Sequence, residues 1–209
     1  MRIIPKIVIF CFFFMVHAVC AEDLSPAITT PIPLADLEHY ADYPVVTKKL
    51  ILIATLLSQE NLTYLYGSAD PKNKGMDCSG TIYYLLKSAK VPDVPRSSDE
   101  MFSWAEKEGE LYRTTENNFD SRSFSHLRPG DLLFWSGTYA TTKNISHVMI
   151  YLGKNKKGQP LMFGSSDGRT YQGKKMWGVS VFDFQLPNDA TNARFVGYSC
   201  IPNLTCGKS

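Results

Sequence analysis

The 209-residue sequence has only four histidines and five cysteines, and neither type clusters. With no CxxC pair and no grouped histidines, the ligand spacing of a zinc site is missing. A glycine-rich phosphate loop is absent, which removes the nucleotide chemistry such loops serve, and the GxSxG elbow of serine hydrolases is absent too. There are no repeats and no low-complexity tracts. The longest apolar run, Ile7 to Val19, falls short of the roughly 20 residues that cross a bilayer, so no stable membrane span is expected. Charge of one sign is also scarce, at 22 basic against 20 acidic residues.

The run at the start is informative for what precedes and follows it. Arg2 and Lys6 lead into it, and Ala21 stands before the acidic pair Glu22 and Asp23, the layout of a secretory signal peptide over residues 1–21. Lipidation at Cys20 is the competing reading, and Val19 disfavours it where a small residue is wanted. Cleavage near Ala21 leaves 20 basic and 20 acidic residues, so the excess of positive charge belongs to the leader. A nucleic-acid partner, which calls for a basic patch, is not expected. The mature chain is expected in an exported setting, periplasmic or secreted.

Cleavage also removes Cys11 and Cys20 and leaves Cys78, Cys200 and Cys206. In an oxidising compartment three cysteines divide into one pair and one free thiol. Cys200 and Cys206 bracket IPNLT, whose Pro202 and Asn203 suit a turn, so they are the expected disulfide. Cys78 remains as the free thiol.

Residues 22–45 carry Pro26, Pro31 and Pro33 among small and polar residues and read as an extended N-terminal arm or linker. From Thr47 to Glu60, Leu50, Ile53, Ala54 and Leu57 recur at helical spacing. A second helix is expected to start at or beside Cys78, with Ile82, Leu85, Leu86 and Ala89 on one face. Ser97 and Glu100 form a capping box for a third, which Gly109 ends. The second half changes period: DLLFW, ISHVMIYLG, PLMFG, GVSVFDF and RFVGYSC are short apolar runs bounded by turn residues, hence strands. Helices followed by an antiparallel meander predict an α+β fold for residues 46–209.

A free thiol at a helix start is partly activated by the helix dipole, yet that effect is at most about 2 kcal/mol, and Asp77 opposes it. A base is required. Of the three histidines after the leader, His39 lies in the arm and His126 in the polar loop SRSFSHLRPG, whereas His147 opens a stiff strand that can hold it. His147 is therefore the expected general base, and the main-chain N–H of Cys78 is the expected oxyanion donor.

Cys78 in GMDCSG, Tyr64 and Gly67 in TYLYG, LRPGDLLFW at 127–135 and SHVMIYLG at 146–153 together resemble the NlpC family of papain-like cysteine peptidases, which cut bacterial cell-wall peptides. The likeness runs from about residue 47 to 200. It implies a papain-like fold with helices packed on a C-terminal antiparallel sheet, Cys78 as nucleophile and His147 as base, without a cofactor. It also implies a Tyr64 hydroxyl beside the thiol, and Asp77 and Ser79 shaping the helix start and a site for the substrate amine. The implied substrate is the peptidoglycan stem peptide, cut between γ-D-glutamate and a diamino acid such as meso-diaminopimelate. Family members place a third polar residue, commonly His, on the strand after the base; here Phe163 or Gly164 occupies that place. The Ser165 hydroxyl or a main-chain carbonyl is the expected substitute, with a plain turn at SSDG as the alternative. An amidase or acyltransferase of the same fold, and a wall-binding domain that has lost catalysis, stay open beside the endopeptidase.

Overall fold

The computed structural model describes residues 24–188 and 190–207; the expected leader and its cleavage site lie outside the described residues. Three helices come first: α1 (Val45–Ser58), α2 (Cys78–Ser88) and α3 (Ser98–Glu108). Between the first two, β1 (Thr63–Tyr64) pairs in parallel with β2 (Gly75–Met76). Then come β3 (Leu111–Arg113), β4 (Leu132–Ser136), β5 (His147–Lys154), β6 (Pro160–Ser166), the small hairpin β7 (Thr170–Tyr171) and β8 (Lys174–Lys175), β9 (Gly178–Asp183) and β10 (Arg194–Ser199). Six of these form one antiparallel sheet in the order β3-β10-β4-β5-β6-β9. This is the expected α+β, papain-like arrangement, with the helix that begins at Cys78 packed on the middle strands β5 and β6.

Each helix has a local cause. In α1, Leu50, Ala54 and Leu57 are buried as the spacing predicts, but Ile51 rather than Ile53 is the fourth core residue, which rotates the buried stripe by part of a turn. The Ser97–Glu100 capping box of α3 forms in both directions, and a Cβ on Gly109 would lie 2.7 Å from the Ala105 carbonyl, so a side chain is excluded at that stop. β5 is buried over all but its last residue because both faces of the sheet centre are covered. Phe119, Phe124, Phe184 and Phe195 pack edge to face, tilted and, for Phe124 on Phe195, stacked against one another, with Phe184 and Phe195 edge-on to Trp135. Strand β3 was not foreseen: three residues are too few for an alternating pattern, and pairing with β10 makes the strand.

The segment expected as an arm or linker is packed where it is described. Ile28 pairs with Trp177, the Thr30 carbonyl accepts from Val181 N–H, and Leu37 pairs with Asn155. Ile32 and Leu37 are buried in the main core. The prolines keep the segment extended, and it runs along β9, shielding a sheet edge that unpaired main-chain groups would otherwise expose.

Cys200 and Cys206 form the expected disulfide, closing a turn in which Asn203 takes a positive φ of 60°. Closing a loop with a sequence separation of 6 stabilises a fold by about 2 kcal/mol. Replacing both cysteines by serine is expected to lower Tm by about 4–8 °C in calorimetry.

Candidate active site

Asp77 builds the start of α2. Its carboxylate accepts from the Gly80 N–H as an N-cap and from the Gly67 N–H at 2.8 Å. A buried carboxylate needs a counter-charge, and Arg96 supplies it: one guanidinium nitrogen donates to Asp77 Oδ2 at 2.9 Å and the other to Oδ1 at 3.2 Å and to Ser79 Oγ at 2.9 Å. Arg96 also donates to the Gly67 carbonyl at 3.0 Å, tying the TYLYG loop to the helix start. Asp77 and Ser79 are thus placed as builders of the helix start, both buried and engaged by Arg96. The sequence reading missed Arg96. The signal was an acid next to a cysteine whose thiolate it disfavours, which calls for a cation close by.

Cys78 is the first residue of α2 and the only free cysteine among the described residues. Burial, and then the Asp77 charge, push its thiol up to about 11, while main-chain N–H groups at Val148, Ser79 and Cys78 itself work the other way. β5, which starts with the expected base His147, packs on α2, which starts at Cys78. His147 is buried, its ring edge-on to Trp135 at 5.7 Å between centroids. Burial, and then the Arg169 cation, hold it well below the usual imidazole value, so it is a neutral base at pH 7. His39 and His126 do not join the site: His39 is exposed on the arm beside Glu38 and Asp42, and His126 stacks on Tyr112 at the β3 edge.

Tyr64, Tyr66, Thr138, Tyr139, His147 and Arg169 line a cleft of about 1110 Å³. Cys78 is not on its lining; it is buried at the start of α2, which packs on β5, and the first residue of β5, His147, is on the lining. Burial, and then the Cys78 charge, raise the Tyr64 phenol, so it stays protonated. The described residues contain no group of three or more His, Cys, Asp or Glu able to hold a metal ion.

Residues 61–176, more than half of the chain, match the model of the NlpC/P60 family. The chain belongs to the NlpC/P60 family. It is 29% identical over 150 residues to a γ-DL-glutamyl hydrolase of Bacillus subtilis (strain 168), a match covering 68% of this chain and 30% of that protein. To the murein DD-endopeptidase MepH of Escherichia coli (strain K12) it is 30% identical over 123 residues, covering 59% and 39% respectively. A solved NLP/P60 family protein similar to a lipoprotein, from Staphylococcus aureus subsp. aureus Mu50, aligns with a TM-score of 0.47 at 18% identity, covering 86% of this chain and 45% of that one. The chain spans well under half the length of the two curated relatives it matches.

In this NlpC/P60 chain the third polar residue is absent, and its expected substitute has a different task. The Ser165 hydroxyl donates to the Met76 carbonyl at 2.7 Å, while His147 Nε2 is buried with no hydrogen-bond partner. Phe163 is wholly in the core, and a Cβ on Gly164 would lie 2.9 Å from Met149 Cγ, so Met149 fills the space a polar side chain would need. The orienting role expected of Ser165 is therefore corrected: it ties β6 to β2, two residues before Cys78. Ser165→Ala is expected to cost about 1 kcal/mol in urea unfolding. It is also expected to leave the pH profile of turnover unaltered, whereas loss of a group orienting the base would shift it.

Proposed function

We propose that this chain is an exported cysteine endopeptidase that hydrolyses peptidoglycan stem peptides between γ-D-glutamate and a diamino acid such as meso-diaminopimelate, without a cofactor. The observation that carries this reading is the packing of α2, which starts at Cys78, against β5, which starts at His147, so that a neutral, buried histidine and a cysteine at a helix start share one contact between elements. The family membership and the names of the relatives support the substrate class. The Cys200–Cys206 bridge and the leader-like residues 1–21 support export.

At neutral pH both partners start uncharged, so proton transfer accompanies the attack. The Cys78 sulfur bonds to the γ-carbonyl carbon as His147 takes the thiol proton, and the charge that develops on oxygen is met by main-chain N–H at the start of α2, a donor worth about 3 kcal/mol of barrier. Collapse breaks the C–N bond as His147 returns the proton to the leaving amine, and water then releases the acyl group from sulfur.

Digestion of purified muropeptides, read by mass spectrometry, tests this. Fragments ending in γ-D-glutamate and others beginning at the diamino acid are expected, and none with Cys78→Ala. Release of intact stem peptides from the sugar would make the protein an amidase. No cleavage at all would favour the wall-binding reading, for which the unpartnered Nε2 of His147 speaks.

A further inference from the structure

Arg169 has no role in the chemistry above, yet it lies at its centre. It follows the SSDG turn after β6, lines the cleft together with His147, and sits with its guanidinium carbon 4.4 Å over the Trp135 ring. Trp135, itself wholly buried, is in turn the cross-strand partner of His147, so the cation and the imidazole both rest against one indole beneath the cleft lining.

The other arginines make the contrast. Arg96 and Arg113 pair with carboxylates, and Arg128 and Arg194 donate to carbonyls. Arg122 is exposed to water. Arg169 is partly buried, and among the described residues its guanidinium donates no hydrogen bond and meets no carboxylate within ion-pair distance, although Asp167 borders the same cleft. Burial draws it down to about 10, so it stays charged at pH 7, and the Trp135 ring is the one side-chain partner the structure gives it among the described residues. Stacking on an indole fixes the plane of a guanidinium and leaves its N–H edge free for a planar, two-oxygen partner. Arg169 lines the cleft together with His147, whose strand packs on the helix that starts at Cys78, so that partner would lie near the attacked carbon.

We propose that Arg169 is the specificity residue of the cleft and binds a free carboxylate on the acyl side of the scissile bond. Resting on the stem-peptide reading, this assigns it the α-carboxylate of the γ-linked glutamate. A γ-linkage leaves that carboxylate ionised three carbons from the carbonyl under attack. Its amidated counterpart, the α-carboxamide, would lose the charge-assisted pair and leave the guanidinium unpaired.

The test compares two thiol reagents of nearly equal size, iodoacetate and iodoacetamide, on the full-length protein, with alkylation read at the Cys78 peptide. In the wild type the iodoacetate to iodoacetamide rate ratio is expected to exceed that of Arg169→Gln by about tenfold, the size of one charged hydrogen-bond interaction. Arg169→Lys, which keeps the charge, is expected to retain most of the excess. Equal ratios in wild type and Arg169→Gln would overturn the proposal, whatever the variant does to stability, because the ratio cancels changes in thiol exposure. In a second arm, stem peptides with an α-carboxylate and an α-carboxamide are compared. A wild-type preference for the carboxylate that disappears in Arg169→Gln supports the assignment, and equal cleavage of both overturns it. If neither peptide is cut while the alkylation ratio holds, the carboxylate site stands and the stem-peptide reading falls.

Discussion

Replacing His147 with glutamine is expected to lower kcat/KM for a stem peptide by about 10²–10⁴-fold, the range of a positioned general base. Two features set the size. The Cys78 thiol, pushed up to about 11, is almost wholly protonated at pH 7, so without a base the nucleophile is scarce. Among the described residues no group hydrogen-bonds His147 Nε2 either, so the imidazole acts without an orienting partner on that side. The loss should fall on kcat and kcat/KM together, since the proton moves only in the transition state. Stability should respond differently. The unfolded chain protonates this histidine near pH 6.5, whereas the folded one resists until well below that value. Between those two pH values the unfolded state binds more protons, so the contribution of His147 is present above about 6.5 and is lost as the pH falls through the folded value. His147→Gln removes that slope. Chemical denaturation of both proteins from pH 7.5 down to 5 should therefore show the wild type losing stability more steeply. Parallel curves would mean that His147 is not buried neutral.

Cys78 and His147 were legible because each could be reached by elimination among few candidates. Three cysteines lie beyond the expected leader, two of them six residues apart around a turn, and of the three histidines there one stands on a strand. Helix starts were legible because capping is local: Asp77 and Ser97 act within three or four residues of themselves. The two arginines were not legible. Arg96 reaches Asp77 across 19 residues and Gly67 across 29, and Arg169 reaches Trp135 only because the turn after β6 folds it back over the sheet. A charged residue in a loop reads as solvated unless the fold is known. Ser165 shows the converse. Its place in the sequence suggested a partner on the preceding strand, and the hydroxyl instead found a carbonyl 89 residues away, while Met149 packs against Gly164 where a polar side chain would stand.

Gly80→Ala is the substitution in which local and tertiary effects have opposite signs. Gly80 is the third residue of α2, where alanine is favoured over glycine by about 1 kcal/mol on helix propensity alone. The structure reverses that expectation. A Cβ at position 80 would lie 2.0 Å from the Ser68 carbonyl oxygen and 2.8 Å from Asp77 Oδ1, and the first of these is rigid main chain. The Ser68 carbonyl accepts the Asp77 N–H at 3.0 Å, so any shift that admits the methyl group also moves the residue before the nucleophile. Overpacking of this kind costs about 1–3 kcal/mol. Displacing a reacting group by about 1 Å costs on the order of 10²-fold in rate. Gly80→Ala is accordingly expected to unfold at lower urea concentration and to lose about 10²-fold in kcat/KM, with the Asp77–Arg96 pair strained in the same movement. A variant with wild-type activity and a raised Tm would mean that helix propensity, not the close approach of Ser68, determines which residue position 80 can hold.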